Sequence, residues 1–310
     1  MTAPASIASR LHGALSAIVT PFDAHGDLDL KALSRLVEVQ LERGIDGLVA
    51  CGTTGETPTL DADEQEKVIR TVVEVVAGRV PVIAGTGSND TRASVRNTAK
   101  ASKWGVDAAL VVCPYYNKPT QEGLFRHFTA VARDGGLPVV AYNVPGRTVS
   151  DLLPETLGRL VEDKAVVAIK DATANMIRTT EIVAALPANA DFALLSGDDF
   201  TILPFVACGG QGVISVVSNI CPGDTARLVR LAAAGQYEEA RPLHGRIVAL
   251  SRALFCSSNP IPLKAALEMG GWCQQVTRLP LEGASEEVRS VVRTALEAYA
   301  PGRALDGFMS

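Results

Sequence analysis

A closed (β/α)8 TIM barrel with a C-terminal helical appendage is the fold class this sequence predicts, and three observations predict it. Short apolar runs with strand character recur eight times, at 14–20, 47–51, 80–85, 108–112, 139–143, 166–170, 193–196 and 212–216. Stretches with helical periodicity separate most of them, as expected of right-handed βαβ units around a parallel sheet buried on both faces. After Val217 the strand signals stop and only helical patterns follow. Eight repeats spaced about 20 to 35 residues apart, over roughly 230 residues, fit closure into a barrel. An open doubly wound sheet is the competing architecture, weakened because no G-x-G-x-x-G follows the first strand.

The first run ends at Pro21. The stretch 30–43 places Leu33, Leu36, Val37 and Leu41 on one helical face. The next, 61–76, opens with Asp61 as a cap and further acidic residues, which suit the positive end of a helix. Helical patterns at 91–104, 121–133, 154–162 and 175–185 continue the alternation. Beyond the eighth strand come 224–234, 237–255, 261–269 and 285–300, with no flexible linker before them. The expected organisation is a barrel carrying the active site over 1–224 and a C-terminal helical domain over 225–310.

Composition narrows the function. The 310 residues are 47% hydrophobic and 20% charged, with a net charge of -5, an ordinary globular balance. Lys and Arg are dispersed, so nucleic acid is not an expected partner. No apolar run approaches membrane-spanning length, and residues 1–11 carry no secretory pattern. Cys51, Cys113, Cys208, Cys221, Cys256 and Cys273 include no C-x-x-C pair and read as reduced thiols of a cytoplasmic protein. His12, His25, His127 and His244 lie far apart, so a metal cofactor is not expected.

In such a barrel the chemistry sits at the C-terminal ends of the strands. The sixth run, Val166-Val167-Ala168-Ile169, is closed by Lys170. A lysine at the end of a buried strand must find a partner or give way to the free amine, which forms Schiff bases with carbonyl substrates. Taken alone it reads first as a lysine that snorkels to water or pairs with Asp171. After the second strand, Gly52-Thr53-Thr54-Gly55-Glu56 offers hydroxyls and backbone N–H groups to a carboxylate, or is simply a glycine-rich turn. Tyr115 and Tyr116 follow the fourth strand, where phenols could shuttle protons or cover the barrel mouth. The fifth ends in Tyr142-Asn143-Val144-Pro145-Gly146-Arg147, which adds a phenol and an arginine able to grip a carboxylate, unless it is a surface charge. Ser196-Gly197-Asp198-Asp199 and the glycines around the eighth strand admit phosphate as a second-ranked ligand. The joint placement of one lysine, several phenols, two threonines and an arginine at one end favours the Schiff-base reading.

These motifs, with Tyr115-Tyr116-Asn117-Lys118-Pro119 and Asn259-Pro260-Ile261-Pro262-Leu263-Lys264, resemble the dihydrodipicolinate synthase family of the pyruvate-dependent class I aldolases, over nearly the whole chain. The resemblance implies a lyase that condenses pyruvate with L-aspartate 4-semialdehyde in the diaminopimelate route to lysine, usually as a homotetramer built from tight dimers. It implies that Lys170 forms the Schiff base, and that Tyr142 donates and accepts protons. Thr53 then links Tyr142 to a Tyr116 from the neighbouring subunit. Thr54 binds the pyruvate carboxylate, Gly197 and Ile214 offer backbone contacts, and Arg147 binds the semialdehyde carboxylate. Two departures stand out. Asp171 occupies a position where the family commonly has Glu. Ala62, Gln65 and Ala93 fall where members inhibited by lysine tend to carry His or Glu, while Asn89 and Tyr115 remain, so weak or absent lysine inhibition is expected. The competing functions are a sister aldolase, such as N-acetylneuraminate lyase or 2-keto-3-deoxygluconate aldolase, and a non-catalytic keto-acid-binding barrel. Arg147 argues against the first and the intact reactive set against the second.

Overall fold

The computed structural model describes residues 6–301; residues 1–5 and 302–310, at the outer ends of the two expected units and of the stretch read for a leader, lie outside it. Eight parallel strands close in sequence order into a barrel: β1 Gly13–Ala17, β2 Gly47–Ala50, β3 Val82–Gly85, β4 Ala108–Val112, β5 Val139–Asn143, β6 Ala168–Asp171, β7 Ala193–Ser196 and β8 Gly212–Ser215. Closure is tight where β8 meets β1, with Gly13 opposite Gly212. A Cβ at Gly212 would lie 2.0 Å from the Gly13 carbonyl oxygen, so only glycine fits there. The expected barrel is what the chain forms.

A short helix, α1 Ile7–Arg10, precedes β1. The helices after the strands are α2 Leu30–Glu42, α3 Ala62–Val76, α4 Thr91–Ala101, α5 Gln121–Gly135, α6 Pro145–Thr148 with α7 Pro154–Glu162, α8 Met176–Ala185, α9 Ile202–Ala207 and α10 Pro222–Ala233. Their ends follow the sequence. Asp61 accepts from the Glu64 N–H at 2.8 Å while Glu64 accepts from the Asp61 N–H at 3.1 Å, a reciprocal capping box. Asp29, Asp90, Thr120 and Asn175 cap α2, α4, α5 and α8 through their side chains, which accept from backbone N–H groups of the first turn. On α2, Leu33, Leu36 and Val37 are buried as expected, but Leu41 is only half-buried. Gln40 completes that face instead, donating to the Ser218 carbonyl at 2.9 Å.

Alternation along the strands separates two cores. Leu15, Val49, Ile83, Val140 and Leu195 fill the barrel, and Leu11 joins them just ahead of β1. The opposite faces pack under the helices. Helix α10 packs on β1 and completes the helical ring, and the division drawn after residue 224 passes through it. Three helices follow, α11 Tyr237–Leu254, α12 Ile261–Met269 and α13 Glu286–Tyr299. Their buried residues Leu250, Leu263 and Val292 belong to one continuous cluster with Leu33 of α2 and Leu228 of α10. Among the described residues no helix is long and apolar enough to cross a membrane. No group of three or more His, Cys, Asp or Glu among them is placed to hold a metal ion.

Candidate active site

Strand period places the lysine. Ala168 faces the barrel interior, so Lys170, two residues on, does too, at the C-terminal end of β6 and opposite Tyr142 and Leu195 of its neighbours. It is 5% exposed. Its ammonium nitrogen lies 4.4 Å from the centroid of the Tyr142 ring, and no carboxylate among the described residues is within ion-pair distance. Asp171 does not partner it. That side chain points to the other face of the sheet, where it accepts from Arg178 Nε at 2.9 Å and from Asn143 Nδ2 at 3.3 Å. Arg178, itself buried, also reaches Asp151 and the Leu152 carbonyl oxygen. It thereby ties the segment after Arg147 to the end of β6.

The loop after β2 is held from several sides. Cys51 and Glu56 adopt left-handed backbone (φ 52° and 53°), and the Thr57 hydroxyl donates back to the Cys51 carbonyl. A Cβ at Gly85 would lie 1.9 Å from that same carbonyl oxygen, so β3 can approach only as glycine. Thr54 is buried, and its hydroxyl accepts from Asn259 Nδ2 at 3.0 Å. Glu56 forms an ion pair at 2.5 Å with Lys264 of α12, both essentially without solvent contact. Lys264 also donates to the Val276 carbonyl at 2.8 Å and lies over the Phe22 ring. Burial pulls its pKa below the ordinary lysine value, and the Glu56 carboxylate opposes that. Removing one partner of such a pair strands the other in an apolar interior. Glu56→Ala is therefore expected to cost about 3 kcal/mol in chemical denaturation; unchanged stability would deny the pair this role.

The third wall comes from β4 and β5. A cavity of about 290 Å³ opens at the barrel mouth, lined by Thr53, Tyr115, Tyr142 and Arg147 together with Cys51, Thr57, Pro58, Val112 and Val144. Lys170 adjoins it through the Tyr142 ring. Arg147 lies on the short helix α6 and makes no ion pair among the described residues, so its guanidinium is available in the cavity wall. Tyr115 is partly exposed there, in keeping with a residue at the mouth. Tyr116 is not in the cavity: it is 89% exposed, with left-handed backbone at φ 74°. The thiol of Cys51, although in the wall, is pushed up to about 12 by burial, which leaves it a poor nucleophile at neutral pH.

Gly197 and Ile214 stand near the lysine. A Cβ at Gly197 would come within 3.0 Å of Lys170 Cγ and Cε, so glycine there leaves room for the lysine chain. Ile214 points into the barrel from β8. Asp199 accepts the backbone N–H groups of Val216 and Val217, both at 2.9 Å, and so shapes the turn after β8. The phosphate reading fails on position. Gly209 and Gly210 precede β8 and lie at the opposite end of the barrel, and the glycine after β7 is followed by two carboxylates. Asn259, Glu56 and Lys264 stand in the sequence only as members of their motifs, with no role attached, and Arg178 carries no signal in its surroundings at 175–180.

The chain matches the dihydrodipicolinate synthetase family over residues 10–299. The 4-hydroxy-tetrahydrodipicolinate synthase of Geotalea daltonii is 49% identical over 287 residues, 93% of this chain and 98% of that one. Among solved structures, a monomeric dihydrodipicolinate synthase variant superposes with a TM-score of 0.92 at 42% identity, covering 94% of this chain and 98% of its own. The chloride-inhibited dihydrodipicolinate synthase of Acinetobacter baumannii, complexed with pyruvate, gives a TM-score of 0.91 at 44% identity over 93% of this chain and 99% of its own. With a closed barrel, a lysine presented inside its mouth and a match that runs almost from end to end, the chain belongs to the dihydrodipicolinate synthetase family.

Proposed function

We propose that the chain is a 4-hydroxy-tetrahydrodipicolinate synthase, a lyase that condenses pyruvate with L-aspartate 4-semialdehyde. The observation that carries this reading is a lysine amine inside the barrel mouth, beside Tyr142 and a cavity that also holds the guanidinium of Arg147, neither of them paired with a carboxylate among the described residues. Lys170 Nζ adds to the C2 carbonyl of pyruvate, and loss of water gives the imine. A C3 proton leaves, and the resulting enamine attacks the aldehyde carbon, whose oxygen takes up a proton. The amino group of the second substrate then attacks the imine carbon, releasing the lysine amine and closing the ring. The Tyr142 hydroxyl, on the residue paired with Lys170 across the sheet, exchanges these protons. Thr54 and the backbone at Gly197 and Ile214 hold pyruvate, and Thr53 passes protons on from Tyr142.

Arg147 binds the semialdehyde carboxylate through two parallel hydrogen bonds. A sugar-acid aldolase would have a neutral hydroxylated chain at this place, which favours the synthase. Arg147→Ala is expected to raise the KM for the semialdehyde about 100-fold, with half-saturation by pyruvate unchanged. An equal effect on both substrates, or on neither, would remove this role.

Tyr116 completes the relay from a second copy, within a homotetramer built as a dimer of dimers. Its exposed ring on left-handed backbone is a costly arrangement for a free surface. The six cysteines, all free, accord with the cytoplasm. Ala62 and Gln65 on α3 and Ala93 on α4 supply no imidazole or carboxylate, and the Gln65 amide is committed to the Leu60 carbonyl at 3.0 Å. Millimolar lysine is therefore expected to leave the initial rate nearly unchanged; strong inhibition below millimolar would refute this.

A further inference from the structure

We propose that Asn259 is a positioning residue that sets the direction of the Thr54 hydroxyl, turning its proton toward the carboxylate of the keto acid. The inference rests on the reading above that Thr54 holds that carboxylate. A hydroxyl carries one proton and two lone pairs, and a carboxylate only accepts. Asn259 Nδ2 donates to Thr54 Oγ1 at 3.0 Å across 205 residues of sequence, and no other hydrogen bond to that oxygen forms among the described residues. One lone pair is thus occupied and the proton is left for an acceptor. Both residues are buried, so water does not compete for either.

The contact is anchored. Five residues along the chain, Lys264 pairs at 2.5 Å with Glu56, two residues beyond Thr54, so the tail meets the loop at two points. Arg278 adds a third, its backbone N–H donating to Glu56 Oε2 at 3.1 Å. Asn259 Oδ1 is buried and has no hydrogen-bond partner among the described residues, so the amide's contact with the loop is the one its donor end makes to Thr54.

The test is borohydride trapping of the pyruvate adduct on the full-length enzyme, followed by intact mass as pyruvate is varied. Thr54→Val and Asn259→Ala are each expected to raise the half-saturating pyruvate concentration about tenfold. The double variant is expected to match Thr54→Val alone, because Asn259 acts through the hydroxyl that valine removes. The KM for the semialdehyde should not move. An unchanged Asn259→Ala, or a double variant with the product of the two single effects, would overturn the proposal. An unchanged Thr54→Val would instead sink the reading of Thr54.

Asn259→Asp keeps the shape and carries the test if the alanine variant misfolds. Its ionised carboxyl accepts the Thr54 proton, so pyruvate should bind more weakly than in Asn259→Ala at neutral pH. Relative to wild type, affinity should recover as pH falls and the introduced carboxyl becomes a donor. A ratio to wild type that is flat with pH would contradict the mechanism.

Discussion

Lys170→Ala is expected to abolish the borohydride-trapped pyruvate adduct and to lower turnover by about four orders of magnitude or more. The nitrogen that forms the imine is gone, and among the described residues no second lysine lines the cavity to replace it. Lys264, the other deeply buried lysine, is held by Glu56 and the Val276 carbonyl. Cys51 cannot substitute, since burial holds its thiol protonated at neutral pH. The variant should fold, because Lys170 makes no ion pair among the described residues and its loss at the mouth leaves Tyr142 and Leu195 beside it in place. A trapped adduct or normal turnover in this variant would exclude the imine mechanism.

Tyr142→Phe is expected to leave the adduct in place and to slow turnover by about two to four orders of magnitude. Phenylalanine keeps the ring that faces the Lys170 ammonium at 4.4 Å and keeps the barrel layer filled. The change therefore isolates the hydroxyl. Single-turnover trapping should still reach one pyruvate per chain, with the deficit appearing in the steps after imine formation. Loss of the adduct would mean that the hydroxyl acts before the imine forms, and unaltered turnover would remove it from proton transfer altogether.

The sequence carried most of the barrel because each strand is a short apolar run ended by glycine, proline or a polar residue. The runs at 108–112, 139–143 and 193–196 coincide with β4, β5 and β7. The others differ at one or both ends by one to three residues, as between the run at 14–20 and Gly13–Ala17, because the ladder stops where the partner strand does. Helix α9 escaped notice: six mostly apolar residues are too few to display a helical period. The exchange of Leu41 for Gln40 on α2 had a similar origin, since periodicity registers apolarity and misses a glutamine that satisfies a buried carbonyl.

The candidate site was legible for one reason and obscure for another. Lys170, Tyr142, Thr53 and Arg147 lie at or just beyond strand ends, so knowing the strands placed them at one mouth. Asn259 and Lys264 come from the far end of the chain, and Arg278 meets Glu56 across 222 residues. Such contacts leave no local pattern. Gly209 and Gly210, grouped with the mouth as glycines around the eighth strand, precede β8 and so lie at the opposite end of the barrel. Tyr116 lies outside the cavity, 89% exposed, because its place in the relay is offered to a neighbouring copy in the reading proposed above.

The most direct test of the central claim is the initial rate of pyruvate consumption with L-aspartate 4-semialdehyde, measured beside pyruvate release from sialic acid and from 2-keto-3-deoxygluconate. Fast consumption with the semialdehyde and no release from either sugar acid is the predicted result. Release from a sugar acid without consumption with the semialdehyde would keep Lys170 but make the chain a sister aldolase, and silence with all three would leave a barrel that binds a keto acid without turning it over.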